Sequence, residues 1–336
     1  MPIALLADIG GTNARFALME RGRIASVAVL AVADHADVES AIAAYLAEHA
    51  GGRRPRRAAL AAAGPASPGR IKLTNAAWTI DEAAIAGRFG LGAAIVVNDF
   101  EALAWALPAL PADGLRVVRD GAASASVPRV RAVLGPGTGF GAAAHIVHGG
   151  REMVLMGEGG HATLAATTER EAAIVARLRA EIGTVAIEHA LSGEGLERLY
   201  RAVAAIDRLD APRRSAAGIV AHALAADCAA SKAALDAFCA FLGGTAGDMA
   251  LTLGADTVFL GGGMVPRFWA YLAASEFGRR FTTKDRMEER LAAVEVAAIV
   301  HPFPAFLGLG RLLRRKAGGK GASAGAQRAS PTRRGR

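Results

Sequence analysis

The run Asp8-Ile9-Gly10-Gly11-Thr12-Asn13-Ala14-Arg15 sets a carboxylate, two glycines, a hydroxyl and a carboxamide side by side. Paired glycines let backbone amides come close to an anion, Thr12 and Asn13 can add polar contacts, and a carboxylate at a strand end can hold a hydrated magnesium ion. The competing reading is a plain hairpin turn in which Asp and Asn are turn formers. A second glycine-rich run, Gly135-Pro136-Gly137-Thr138-Gly139-Phe140-Gly141, contains the G-x-G-x-x-A spacing of dinucleotide sites. That fingerprint needs a crossover helix next, whereas Gly149-Gly150 follows at strand length, so the run reads as a second phosphate-facing hairpin. Pro136 has no amide to offer a phosphate. The P-loop pattern G-x-x-x-x-G-K-[ST] occurs nowhere, which argues against a P-loop NTPase.

Acid and base groups lie between and beyond these loops. Asn98-Asp99 ends a predicted strand, where open α/β sheets carry catalytic groups; Asp99 could take a hydroxyl proton while Asn98 orients the acceptor. The alternative is that the pair only caps the next helix. Glu158-Gly159-Gly160-His161 puts a carboxylate and an imidazole on a glycine-flexible loop, and Glu188 stands beside His189. Carboxylates suit a polyhydroxylated ligand because they accept hydroxyl hydrogen bonds, although Glu188 alone could equally be a solvated charge.

The elements that must position these groups follow from apolar periodicity. Ile3 to Ala7, Arg15 to Met19 and Arg23 to Val32 read as strands of a meander, Val38, Ile42, Tyr45 and Leu46 recur at helical spacing, and Ala58 to Ala63 and Ala94 to Asn98 are further strands. A helix runs from Phe100 to about Leu107, before Pro108. The second half repeats the logic, with strands over Arg131 to Leu134 and Ala142 to His148. Thr168 and Glu171 predict a capping box opening a helix to about Ile182. A long alanine-rich helix through Leu235, Phe238, Leu242 and Met249, interrupted or kinked near Gly243-Gly244, leads to the strand Thr257 to Leu260 and then Gly261-Gly262-Gly263.

Composition limits the function classes. Hydrophobic residues make up 52% and charged residues 21% of 336, enough for a substantial core. The net charge of +8 resides in Arg314 to Arg336, and without that stretch 31 basic residues face 31 acidic ones. A basic nucleic-acid-binding body is therefore not expected. Cys228 and Cys239 cannot complete a four-ligand zinc site. No apolar run approaches the roughly 20 residues of a membrane span, and no secretory signal is apparent, so a soluble cytoplasmic protein is expected.

In their order and spacing these motifs resemble bacterial glucokinase, a family of the hexokinase and actin-like ATPase superfamily. The resemblance rests on Asp8 to Arg15, Asn75 with Trp78, Asn98-Asp99-Phe100, Gly135 to Gly141, Gly157 to His161, Glu188 with Leu191-Ser192-Gly193, and Gly261 to Phe268. It implies an α/β, two-domain actin-like ATPase (ribonuclease H-like) fold with the active site in the interdomain cleft. Residues 1–109, completed by about 300–314, would form the small domain and 110–299 the large one, with 315–336 a disordered basic tail.

By that resemblance the activity is ATP-dependent phosphorylation of D-glucose. Asn98, Asp99, Glu158, His161 and Glu188 would hold the hexose, with Asp99 also the base. Asp8, Gly10, Gly11, Thr12 and Asn13 would meet phosphates and magnesium, the metal through water at Asp8. Gly137, Thr138 and Gly139 would face the phosphates from the other side, and Gly261, Gly262 and Gly263 the adenosine. A homodimer is implied, with neither a specific nucleic acid nor a membrane as partner. The alternatives are a kinase for another hexose and a non-enzymatic actin-like nucleotide-binding module. A kinase of the repressor and open-reading-frame family would need a cysteine-rich zinc motif that two cysteines cannot supply.

Overall fold

The computed structural model describes residues 3–64, 66–121 and 129–318. The chain divides into two compact units, one running to Asp99 and rejoined from Ala305, the other Phe100–Pro304. In the first, β1 (Ala4–Ile9), β2 (Asn13–Glu20) and β3 (Arg23–Ala31) form an antiparallel meander. Helix α1 (Val38–His49) then carries the chain over to β4 (Arg57–Ala62), which pairs with β1 in parallel. A small sheet of β5 (Ala66–Ser67), β6 (Arg70–Lys72) and β7 (Thr79–Asp81), with α2 (Glu82–Phe89), precedes β8 (Ala93–Asn98), which pairs in parallel with β4. The sheet order is β3-β2-β1-β4-β8.

Burial explains the sequence pattern strand by strand. β1 and β4 are covered on both faces and read as apolar runs over residues 4–7 and 58–62, whereas β3 alternates exposed and half-buried residues because one face meets water. Tyr45 of α1 stacks on Phe16 with ring centroids 5.3 Å apart, and its hydroxyl donates to the Ser26 carbonyl. The α1 N-terminus is closed by a reciprocal box between Asp37 and Ser40.

The second unit opens with α3 (Asp99–Ala106) and the edge strand β9 (Leu115–Arg119). A second meander follows, β10 (Val130–Pro136), β11 (Phe140–His148) and β12 (Arg151–Gly157). Next come α4 (Glu169–Ile182), α5 (Gly193–Asp207), α6 (Ala216–Ala225) and α7 (Ala229–Leu253). The unit finishes with β13 (Thr257–Leu260), the short helices α8 (Trp269–Ala274), α9 (Phe277–Thr282) and α10 (Glu288–Ala292), and β14 (Glu295–Ile299). Helix α11 (Pro304–Gly318) ends the described chain. The six-stranded order β12-β11-β10-β13-β14-β9 repeats the first sheet's meander and parallel pair, with β9 added at the edge. The repeat anticipated from the two glycine loops is thus present at the level of topology.

Three sequence expectations change here. The first division of the chain falls at the start of α3, between Asp99 and Phe100, rather than after that helix, because Phe100, Leu103 and Leu107 pack with Val133, Phe259 and Ile299 of the second unit. Helix α7 is continuous through Gly243-Gly244. Its glycines serve close packing: a Cβ on Gly243 would stand 2.4 Å from the Phe277 carbonyl oxygen, and one on Gly247 would stand 2.3 Å from that of Phe281. The backbone of α9 therefore rests directly on α7. Third, the capping box at α4 is only half formed. Thr168 accepts from the Glu171 amide, but the Glu171 carboxylate takes the Thr167 amide and hydroxyl instead. It also pairs with Arg280 at 2.9 Å, both side chains being 7% exposed. The basic tail lies, from residue 319 on, outside the described residues.

Candidate active site

Both glycine loops sit at the tips of equivalent hairpins, β1–β2 and β10–β11. In the first unit the antiparallel register puts Asp8 opposite Arg15, whose guanidinium donates to the carboxylate at 3.3 Å. The Asp8 side chain keeps 22% of its surface accessible, yet burial at the strand end raises its pKa above the usual carboxylate range, against the lowering effect of Arg15. The Gly10 amide donates to the Asn13 carbonyl at 3.0 Å and closes the turn. Thr12 and Asn13 are exposed at its rim. Gly11 is required because Asn75 crosses above it: an added Cβ would lie 2.9 Å from that of Asn75. The segment bearing Asn75 is anchored by Trp78, which is 4% exposed and donates its indole N–H to the His35 carbonyl.

Asn98 and Asp99 lie at the C-terminal end of β8, half-buried, where the strand turns into α3. The Asn98 amide donates to the Gly64 carbonyl at 3.1 Å, so one of its hydrogen-bonding groups holds the loop after β4. That contact was not foreseen from the sequence. The next residue, Phe100, lays its ring where a Cβ on Gly141 would be, at 2.0 Å, which accounts for the last glycine of the second loop.

In the second unit the loop Gly137-Thr138-Gly139 is closed by the Gly137 amide donating to the Gly139 carbonyl at 2.8 Å, with Thr138 exposed at the tip. Gly261 and Gly262 pack against the end of β10. A Cβ on Gly135 would lie 2.1 Å from the Gly261 oxygen, and one on Gly262, whose φ is +83°, would lie 2.3 Å from that of Pro136. Gly263 is exposed beyond them. The structure thus packs Gly135 and Pro136 directly against Gly261 and Gly262, so that the ends of the two glycine runs are neighbours within the second unit.

The carboxylates gather beside the loop at Gly139. Glu188 occupies the 3-10 turn Ile187–His189, and its Oε2 lies 2.9 Å from where a Cβ on Gly139 would be. His161 Nδ1 is 3.5 Å from Glu188 Oε1 and its Nε2 is 4.0 Å from Glu158 Oε2. Two carboxylates therefore flank one imidazole, with Glu188 27% exposed and Glu158 77%. Of the two glycines between Glu158 and His161, Gly160 is a packing position rather than a flexible one. A Cβ on Gly160 would be 2.4 Å from the Phe140 oxygen, and one on Gly159 would be 2.6 Å from Met249 Cε. His189, adjacent to Glu188, is engaged elsewhere, its Nδ1 accepting from the Ala186 amide.

Sequence reasoning passed over Ser192 as a functional residue, although a serine just before the amphipathic run Leu196, Leu199, Tyr200, Val203 signals an N-cap. It caps α5 by accepting from the Gly195 amide, and its hydroxyl donates to the Glu188 carbonyl at 2.7 Å. The cysteines contribute nothing to these groups. Burial in α7 pushes the Cys239 thiol up to about 12, which removes it as a nucleophile at neutral pH. Among the described residues, no cluster of three or more His, Cys, Asp or Glu forms a metal site, and no helix is long and apolar enough to cross a membrane.

Comparisons with known proteins extend this geometry. Residues 5–316 match the family described as Glucokinase. The glucokinase of Paramagnetospirillum magneticum is 43% identical over 93% of this chain and 97% of its own length. The crystal structure of a glucokinase from an Antarctic psychrotroph superposes with a TM-score of 0.83 at 36% identity, covering 94% of this chain and 99% of that one. A ROK family glucokinase from Streptomyces griseus, solved with glucose and AMPPNP, shares the fold at a TM-score of 0.66, 19% identity, and coverage of 93% of this chain and 99% of that one.

Proposed function

The chain belongs to the glucokinase family, and from that premise we infer that it transfers the γ-phosphoryl group of ATP to the 6-hydroxyl of glucose. The observation that carries this reading is the His161 imidazole flanked by Glu158 and Glu188, with Glu188 against the glycine loop at Gly139. Polar groups suited to sugar hydroxyls and backbone suited to phosphates meet there within one unit. Initial rates for a panel of hexoses against a panel of phosphoryl donors test it. Glucose with ATP is expected to dominate, and a preference for mannose or fructose would move the assignment to another hexose. ATP hydrolysis indifferent to any sugar would move it to a nucleotide-binding module.

In this proposal Asn98, Asp99, Glu158, His161 and Glu188 take the hexose hydroxyls, and Asp99 receives the proton of the 6-hydroxyl. Phosphoryl transfer leaves the protein little covalent work, so positioning and electrostatics dominate the barrier. Gly10, Gly11, Thr12 and Asn13 meet the phosphates from one side and Gly137, Thr138 and Gly139 from the other, while Gly261, Gly262 and Gly263 receive the adenosine. Magnesium fits the first loop: Asp8 offers a hard carboxylate at a strand end, and an ion that keeps several waters and binds phosphate oxygens needs only one or two such ligands. When bound, it neutralises charge on the transferring phosphates. Asp8 would hold it, in part through water.

Replacing Glu188 with Gln removes one charged hydrogen-bond acceptor, a change of about 1.5–3 kcal/mol, or roughly ten- to hundredfold. The glucose KM is expected to rise by that factor and the ATP KM far less; equal effects on both would return Glu188 to the role of a surface charge. We further expect a cytoplasmic homodimer whose product enters glycolysis. The edge strand β12, with Met153 55% and Leu155 48% exposed, is a surface suited to assembly. The basic C-terminal segment has no aromatic residue for base stacking. Deleting Lys316 to Arg336 is expected to leave kcat and the glucose KM unchanged, and lost activity would make that segment part of the catalytic body.

A further inference from the structure

The segment from Glu188 to Gly193 touches both halves of the second unit's ligand surface. At one end is the Glu188 carboxylate, beside His161 and Gly139. At the other, the Gly193 amide donates to the Gly137 carbonyl at 3.0 Å, and Gly137 in turn closes the glycine loop onto Gly139. Between them Ser192, 3% exposed, donates to the Glu188 carbonyl and accepts from the Gly195 amide, which fixes the segment to the first turn of α5. Three hydrogen bonds thus tie the sugar-facing carboxylate, the helix start and the phosphate-facing loop into one short strap.

We propose that this strap couples sugar binding to nucleotide binding, with the Ser192 hydroxyl and the Gly193 amide as its positioning groups. The proposal rests on the glucokinase reading for the two ligands. A hexose that fixes Glu188 restrains the peptide that Ser192 holds, and through Gly193 it restrains the loop that must present Gly137 to Gly139 to the phosphates. A nucleotide binding to a loop already ordered loses less freedom, which appears as positive cooperativity. By linkage, the nucleotide must tighten glucose by the same factor.

Gly193→Pro breaks the latch. Gly193 is the first residue of α5, where proline is well accommodated. Ser192 before it is already extended, at φ −149° and ψ −179°, as a residue preceding proline prefers. The substitution leaves the helix intact, deletes the amide hydrogen that reaches Gly137 and sets the ring Cδ in its place against the Gly137 oxygen, so the glycine loop is pushed off its latch. Gly193→Ala keeps the amide, and its Cβ would meet the Gly137 oxygen at an ordinary 3.8 Å.

The experiment is calorimetric titration of a non-hydrolysable ATP analogue into the full-length protein, with and without saturating glucose, alongside thermal melts. Wild type and Gly193→Ala are expected to bind the analogue about 5- to 150-fold more tightly with glucose, the usual span of such coupling. Gly193→Pro is expected to lose this factor, with glucose affinity in the absence of nucleotide and the melting temperature retained. Equal coupling in the proline variant, or no coupling in wild type, overturns the proposal. Absence of glucose phosphorylation by wild type, measured separately, would instead overturn the functional reading.

Discussion

Asp99→Asn is expected to lower kcat by about 100- to 10,000-fold while glucose still binds, the usual consequence of losing a general base. Asp99 is the first residue of α3, so the rival role for its carboxylate is to stabilise the helix start. Asparagine is nearly equivalent to aspartate in that role and close to it in shape. The substitution therefore spares the cap, removes the capacity to take a proton and weakens the hexose contact without abolishing it. Glucose binding followed calorimetrically and kcat followed in a coupled assay separate the two roles. A variant with near wild-type kcat would leave Asp99 a structural cap.

The second large effect is expected at a buried ion pair. Arg280 and Glu171 form a buried pair between α9 and α4, with guanidinium nitrogen to carboxylate distances of 2.9 and 3.0 Å. Removing one partner leaves the other buried without its counter-charge, which costs about 3–5 kcal/mol. Arg280→Met is expected to lower the unfolding free energy measured in denaturant by that amount. Adding Glu171→Leu should recover only part of the loss. Glu171 also accepts from the Thr167 amide and hydroxyl, and the double variant leaves those donors unpaired. A shift below about 1 kcal/mol for Arg280→Met would mean that water reaches the pair.

Asp8 shows how tertiary surroundings set the properties of a group that the sequence only names. Its carboxylate is recognisable at the end of a short apolar run. The raised pKa comes from the sheet that buries it, and the opposing influence comes from Arg15, which stands across the hairpin only because the strands pair in that register. Without a bound cation, the folded first unit therefore binds a proton at Asp8 more readily than the unfolded chain does. The associated stability is present at low pH and is lost as pH rises through the raised pKa.

What the sequence determined by itself is local: strand runs such as 4–9 and 57–62, the helix carrying Val38, Ile42 and Tyr45, and the two glycine hairpins all follow from apolar periodicity and turn chemistry within a few residues. The order of the motifs carried the family, because a resemblance spread over most of the chain needs no coordinates. What only the tertiary structure decided are relations between distant segments. Gly243-Gly244 looked like a break in α7, and Gly243, together with Gly247, is instead the ground on which the α9 backbone rests. Gly160 looked flexible, and it is fixed by the Phe140 backbone. Glu171 fitted a capping box until Arg280, 109 residues away, claimed its carboxylate. In each case the residue type is compatible with two roles, and the choice rests on what packs within 3 Å of it from elsewhere in the chain. Close packing is set by volume and direction in three dimensions, and neither is encoded in the spacing of neighbours along one.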